Sequence, residues 1–229
     1  TAQQLNITSG GTVNGLAPGG NQSQAATAGT INFVATGTIV PGTALALTNV
    51  NLNGGVNMGG GNTTINGTLN IRTNGFVTSG TAPTYASSPA STLLYSCLCN
   101  YGAGEEWYQN TFGTSAGVPH NVTLGAGTSL NFGSSGFTRE MRGDLTISST
   151  STFALSTSFG GDLNIKGNWI RTAGGTFTPN ARAVRFNGTS GNQTITVTSG
   201  GGTETFAYLL IQKAAGQAVV QAAAPNATR

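Results

Sequence analysis

Charge is the scarcest thing in this chain. Only 7% of its 229 residues are Asp, Glu, Lys or Arg, where a globular domain ordinarily carries about a quarter. The nine basic residues are scattered from Arg72 to Arg229 with no dense run, for a net charge of +3. Nucleic-acid binding relies on clustered cations that displace counterions from phosphates, so no nucleic-acid partner is expected. Chemistry-bearing residues are as thin. One histidine, His120, and two cysteines, Cys97 and Cys99, fall short of the usual four-ligand zinc set. No G-x-S-x-G elbow is present. No phosphate-cradling G-x-x-x-x-G-K-[ST] follows the glycine runs at Gly59–Gly61 and Gly200–Gly202. No apolar run is long enough for a membrane-spanning helix, and no membrane insertion is expected. The chain begins at Thr1 rather than Met and carries no signal peptide, as a processed exported product or a fragment would.

What fills the chain instead is glycine, 36 residues, with abundant Thr, Ser and Asn. The hydrophobic share is still 37%, and Val, Ile, Leu and Phe recur at short spacing. Disordered chains lack such residues and carry high net charge. The composition therefore predicts a folded, β-rich protein whose wet surface is built from Thr, Ser and Asn. Scarce charge with these residues suits an extracellular surface protein.

The stretch GDLTISSTSTFALSTSFGGDLNIKGNW, residues 143–169, shows the pattern twice. Gly143-Asp144-Leu145-Thr146-Ile147 returns as Gly161-Asp162-Leu163-Asn164-Ile165, eighteen residues later. Gly67–Ile71 has the same shape, Gly29–Phe33 nearly so, and 44–55 and 120–133 are looser copies. Apolar residues two apart share one face of a strand. Gly and Asn then permit the positive φ of a tight corner. Short strands recurring at roughly 16–22 residues fit a sandwich less well than a β-solenoid, in which each repeat is one turn of a coil. The fold expected is all-β: a right-handed parallel β-solenoid (β-helix), one domain over 1–229. It divides into N-terminal coils over 1–80, an irregular excursion over 81–118 and C-terminal coils over 119–229. Leu145 is expected to stack on Leu163 and Ile147 on Ile165, at ~4.8 Å per coil, in a rod of about ten to twelve rungs. The excursion is assigned because 81–118 holds Pro83, Pro89, both cysteines, Glu105, Glu106 and four aromatics between Tyr101 and Phe112. Within it, residues 91–99 still alternate. Downstream strands are expected near 168–171, 183–186, 194–197, 206–212 and 218–221.

Over 167–213 the motifs take a familiar order. Gly167-Asn168-Trp169 is followed by Gly174-Gly175-Thr176-Phe177-Thr178-Pro179, then Val184-Arg185-Phe186-Asn187-Gly188, then Gln193-Thr194-Ile195, then Phe206–Lys213. This order resembles the repeat regions of very large Bacteroidetes cell-surface proteins, including gliding-motility adhesins exported by the type IX secretion system. The upstream segments at 91–95, 105–108 and 117–124 resemble the lead-in to such repeats. The resemblance covers about Ser91 to Lys213. It implies an extracellular structural or adhesive role with no assigned catalytic residues. No C-terminal sorting domain of the family's kind is present, which implies a fragment or a subunit anchored by others.

Several residues are candidates for chemistry. Adjacent Glu105 and Glu106 would point to opposite sides of a strand. Asp144 and Asp162, one repeat apart, would lie ~5 Å apart on one surface if the repeats stack; with Lys166 or Arg171 they are the best enzyme-like constellation, set against a plain polar position after a turn glycine. One Gly-Gly-Asp at 160–162 is no calcium array. His120 reads as a loop histidine after Pro119. Cys97 and Cys99 read as two buried thiols on one strand face, with a local disulfide as the alternative. The threonine row Thr194–Thr198 reads as the outer face of one strand rather than an ice-binding array. No catalytic, cofactor-binding or metal-binding residue and no cofactor is assigned. The function expected is that of a non-catalytic extracellular structural or adhesive solenoid at a bacterial cell surface. Its partners would be other copies of itself, flanking repeats stacked end to end, or surface glycans. A self-assembling filament subunit and a polysaccharide lyase or hydrolase are the competing readings.

Overall fold

A computed structural model describes residues 4–7, 11–14, 22–23, 29–41, 44–108, 116–198, 200 and 202–222. The chain is a parallel β-solenoid: the strand ladders are all parallel and join segments from successive coils. The first face runs the length of the described molecule. It orders Gln4–Ile7, Thr30–Phe33, Leu45–Leu52, Thr63–Ile71, Thr92–Tyr95, Asn121–Leu124, Leu145–Ile147, Trp169–Arg171, Gln193–Val197 and Val219–Gln221. Ten strands at ~4.8 Å make a stack about 43 Å long.

A second face carries Gly11–Asn14, Gly37–Val40, Gly55–Asn57 and Phe76–Val77, and resumes with Asn100–Gly102, Ser129–Asn131, Thr152–Ala154 and Thr176–Thr178. A third face forms in the C-terminal half from Arg139–Met141, Leu163–Ile165, Ala183–Phe186 and Tyr208–Ile211. In the N-terminal half the long strands Leu45–Leu52 and Thr63–Ile71 serve two ladders. Their leading halves pair with Gln22–Ser23 and Thr84–Tyr85, their trailing halves with Thr30–Phe33 and Thr92–Tyr95, with a register shift between Leu47 and Asn49.

The core is a set of columns. Ile31, Val50, Leu69, Leu93, Val122, Leu145, Trp169 and Ile195 follow one another in register down the first face, all buried. Like therefore sits over like, but not with the expected partners. Leu145 pairs with Val122 and Trp169, whereas Leu163 lies on the third face between Arg139 and Val184. The two copies of the Gly-Asp-Leu motif are thus two faces of one coil. The coil step on the first face is 26 residues from Gln4 to Thr30, 19 from Thr30 to Asn49 and from Asn49 to Thr68, and 23, 24 and 26 along the Asn121–Asp144–Asn168–Thr194 corner. Eighteen residues is the distance from one face to another, because each face starts with the same corner-then-strand pattern.

Along the inside of the second face, aromatic rings form a second column. Phe132 meets Phe153 edge-on at 5.2 Å, Phe153 meets Phe177 at 5.8 Å, and Phe177 meets Phe206 at 5.7 Å. Trp107 stacks on Phe153 at 6.0 Å from one side, and Trp169 packs against Phe177 at 4.7 Å. Aromatic pairs in such tilted and T-shaped geometry add about 0.5–1.5 kcal/mol each beyond burial.

The excursion is narrower than 81–118. Thr92–Tyr95 belongs to the first face and Asn100–Gly102 to the second. Among the described residues, what departs from regular stacking is 86–91, 103–108 and 116–119. Phe112, Gly201 and the tail beyond 222 lie outside the described residues. The expected downstream strands are present as Trp169–Arg171, Ala183–Phe186, Gln193–Val197, Tyr208–Ile211 and Val219–Gln221.

Candidate functional site

The carboxylates are the residues most able to do chemistry, and the fold spends them between coils. Asn121 Oδ1 accepts the backbone N–H of Asp144 at 2.9 Å, and Asp144 Oδ1 accepts that of Asn168 at 2.7 Å. Asn168 Oδ1 accepts that of Thr194 at 2.8 Å. An Asn/Asp ladder thus climbs the corner that leads into the first face. Asp162 does the same at the corner of the third face, where Oδ1 accepts the N–H of Ala183 at 2.9 Å. Asp144 and Asp162 therefore occupy different corners of one coil and do not form the stacked pair expected from an 18-residue repeat.

Glycine precedes these positions because the next coil passes too close for a side chain. A Cβ on Gly167 would lie 2.1 Å from the carbonyl carbon of Gly143, and one on Gly143 2.2 Å from Asn121 Oδ1. His120 sits at this corner, half-buried, its Nδ1 3.2 Å from Asn121 Oδ1. Thr198, the last of the threonine row, accepts the N–H of Ala173 at 2.8 Å through Oγ1.

The ordered motifs of 167–213 converge on packing. Trp169, Phe177, Phe186 and Phe206 form one aromatic cluster. Gln193 is buried; its Oε1 accepts Gly188 N–H at 2.8 Å, and its Nε2 donates to the carbonyls of Ile165 at 3.1 Å and of Gly167. Lys213 Nζ donates to Gln193 Oε1 at 3.1 Å and to the Gly188 carbonyl. Arg171 and Trp169 both donate to Glu204 Oε2 at 2.8 Å, burying an ion pair under the last coil. Arg171 is thus engaged with Glu204 rather than with Asp144 or Asp162. A cleft of about 480 Å³ opens beside it, lined by Phe177, Thr176, Gly174, Gly175, Gly200 and residues 202–205.

Sequence reasoning missed a buried polar knot between Tyr85 and Tyr95 on one side and Arg139 and Glu140 on the other. The short 3₁₀ turn Glu105–Trp107 forms its centre, burying Glu106 and Trp107 while Glu105 stays partly exposed. Glu106 Oε1 accepts Tyr95 Oη at 3.0 Å and Gly104 N–H at 2.8 Å, and Tyr85 Oη donates to the Glu106 carbonyl at 2.7 Å. Trp107 Nε1 donates to the Glu140 carbonyl at 3.0 Å, and Arg139 Nε donates to the Trp107 carbonyl at 2.7 Å. The Arg139 guanidinium lies between the rings of Phe132 and Phe137, 4.4 and 4.7 Å from their centroids. Lys166 Nζ lies 2.6 Å from Oε1 of buried Glu140, a close ion pair not aligned as a hydrogen bond.

Burial pushes the Glu106 carboxyl above its ordinary range, opposed by the Gly104 N–H, the Tyr95 hydroxyl and the Arg139 charge. Burial also raises the phenols of Tyr85, Tyr95 and Tyr101, and the Glu106 charge raises them further. The side chains of Glu106, Trp107 and Glu140 are fully enclosed, so the knot is a plug with no room for a substrate.

Cys97 and Cys99 are joined in a disulfide, which corrects the reading as two thiols. An extended strand would hold their Cα atoms about 6.5–7 Å apart. Leu98 instead takes φ 53°, turning the corner between the first and second faces and bringing them to 5.1 Å. Among the described residues no cluster of three or more His, Cys, Asp or Glu could hold a metal ion, and no helix is long and apolar enough to cross a membrane. No family model, no curated protein and no solved structure matches the chain.

Proposed function

We propose that the chain is a non-catalytic, extracellular structural and adhesive solenoid of a bacterial cell surface, of the kind found in large Bacteroidetes repeat proteins. The observation that carries this reading is the use of the carboxylates. Asp144, Asp162, Glu106, Glu140 and Glu204 each bond or pair with a neighbouring segment of the coil. Glycoside hydrolysis needs two carboxyls facing each other across an open cleft, and these are distributed over separate corners and buried plugs. The motifs at 167–213 are likewise accounted for by packing, as expected of residues selected for stacking one coil on the next.

The mechanism is geometric. Parallel ladders and aliphatic columns make a stiff rod from short repeats, and the Thr, Ser and Asn of the outer positions offer hydroxyls and amides to a surface. The test is a degradation screen of the purified chain against plant, algal and bacterial polysaccharides, beside adhesion of chain-coated beads to the same materials. Adhesion without new reducing or unsaturated ends is expected. Turnover that disappears in Asp144→Ala or Asp162→Ala would establish an enzyme instead.

One observation favours a filament subunit as the second reading. Among the described residues, the strand Tyr208–Ile211 ends the third face, with all four residues exposed, including Leu209, Leu210 and Ile211. An unpaired strand edge with apolar side chains is a template for further pairing. Electron microscopy of the purified chain separates the two, since filaments lengthening with concentration support self-assembly and single rods exclude it.

A further inference from the structure

Two aromatic side chains face the same hollow on the third-face corner without serving the core. Phe159 is 91% exposed and Tyr208 60% exposed. The cleft they line has a volume of about 350 Å³ and is completed by Asp162, Ala181, Arg182 and Ala183. That volume lies within the ~300–1,000 Å³ usual for small-ligand sites. From the geometry of this cleft we infer a binding site for a neutral hexopyranose unit of a glycan. The inference rests on the adhesive reading above and names the surface that performs it.

The hollow exists because of one small residue. Asp162, Ala183 and Tyr208 occupy equivalent positions in three successive coils. Ala183 leaves a gap between the carboxylate on one side and the phenol on the other. The walls are fixed. The turn bearing Phe159 is tied to the preceding coil by Thr138 Oγ1 donating to the Gly160 carbonyl at 3.0 Å. Gly160 at φ 84° packs against the Gly136 carbonyl, where a Cβ would come within 2.5 Å. Asn180 and Ala181, both left-handed at φ 47° and 55°, form the tight turn before Arg182, and Asn180 Nδ2 anchors it to the Leu155 carbonyl at 2.7 Å. Arg182 lies over the Phe159 ring, 5.5 Å from its centroid.

A pyranose matches these walls chemically. Its axial C–H groups make an apolar face that stacks on a phenyl or phenol ring, and its hydroxyls ring the edge as donors and acceptors. Asp162 Oδ1 is held by Ala183, which leaves Oδ2 to accept a sugar hydroxyl. Arg182 supplies N–H donors. The two charges are opposite, so the cleft favours a neutral sugar over a strongly charged one. Aromatic side chains have two χ angles and are ordered at low entropic cost, and repetition of such sites along a surface would raise avidity.

Affinity electrophoresis of the whole chain in gels containing laminarin, dextran, pullulan, galactomannan or alginate tests this. Retardation by at least one of the four neutral glycans is expected, weakened at least ten-fold in Phe159→Ala and in Tyr208→Ala. Tyr208→Phe keeps the ring and is expected to retain binding, as is Val34→Ala at a distant exposed position. Thermal melts show that each variant is folded; both aromatic side chains are solvent-exposed. Absence of retardation by every neutral glycan overturns the inference, as does salt-sensitive retention by alginate alone, or retardation unchanged in the Phe159→Ala/Tyr208→Ala double variant. If beads coated with that double variant still adhere like wild type, the cleft assignment fails and the adhesive reading stands. If wild type neither adheres nor is retarded, both fail.

Discussion

Asn168 donates both its backbone N–H and its side-chain amide to Oδ1 of Asp144 in the neighbouring coil, at 2.7 and 3.0 Å. One carboxylate oxygen thus holds two donors of the next coil, and Asn121 and Asn168 use an amide oxygen for the same backbone contact. Asp144→Asn preserves that acceptor and is expected to change stability by less than about 1 kcal/mol. Asp144→Ala removes it and strands the donors, for a loss of about 1.5–3 kcal/mol. Chemical denaturation of the two variants checks the difference. Equal losses would show that the charge, not the ladder, matters.

The corner glycines set a second expectation. Gly167→Ala places a methyl group against the backbone of Gly143, where neither side can move without opening the coil. A loss of about 2–3 kcal/mol is expected, typical of overpacking. Gly61→Ala is the comparison, since the nearest atom to its new methyl is Ala116 Cβ at 3.8 Å. That variant should melt within a few degrees of wild type. A Gly167→Ala protein as stable as Gly61→Ala would mean that the coils are not packed as described.

The knot around Glu106 gives a pH signature. Burial raises the folded-state pKa of this carboxyl above its unfolded value, so the folded state holds the proton more tightly. The contribution is fully present below the unfolded value of about 4.3 and is lost as pH rises through the raised folded value. Glu106→Gln keeps an oxygen for Tyr95 and Gly104 but has no charge to bury. Its melting temperature relative to wild type is expected to rise as pH increases from 4 towards neutrality and then level off. A difference that is flat or falls over that range would contradict the burial of an ionisable Glu106.

The disulfide predicts both labelling and energetics. An alkylating reagent should leave Cys97 and Cys99 unmodified in the unreduced, denatured chain and add two groups after reduction. The loop closed is tiny, and in the chain-entropy view such a cross-link contributes about 1.5 kcal/mol. A Cys97→Ser/Cys99→Ser variant is therefore expected to fold with a modest fall in melting temperature. Two reactive thiols before reduction would overturn the assignment.

The strands themselves were legible in the sequence. Leu145–Ile147 and Ala183–Phe186 follow from apolar residues two apart after a Gly or Asn corner. Which strand lies on which was harder to read. Each coil has up to three faces, and Gly143-Asp144-Leu145 and Gly161-Asp162-Leu163 obey the same local rule on two of them. Similarity between segments reported a shared corner chemistry, whereas the coil step of 24 residues was carried by less similar pairs such as Asp144 with Asn168. The Glu106 knot was hidden for another reason. Tyr95 and Arg139 reach it from 11 and 33 residues away, a meeting that only the stacking of the coils brings about. Phe159 and Tyr208 gave no binding signal because the hollow they share depends on two segments far apart in the sequence meeting at one corner.

Cross-linking between coils tests the stacking most directly. Thr146 and Ile170 are register partners with outward, half-buried side chains. In-register parallel neighbours lie ~4.8 Å apart, inside the span that a disulfide bridges. In a chain with Cys97 and Cys99 replaced by serine, the Thr146→Cys/Ile170→Cys pair should oxidise spontaneously. Trypsin, cutting after Arg142, Lys166 and Arg171, would then release 143–166 joined to 167–171. The pair Thr146→Cys/Asn164→Cys, which an 18-residue coil would stack, should stay reduced. Cross-linking of the second pair with none of the first would contradict the 24-residue coil on which the description of the molecule depends.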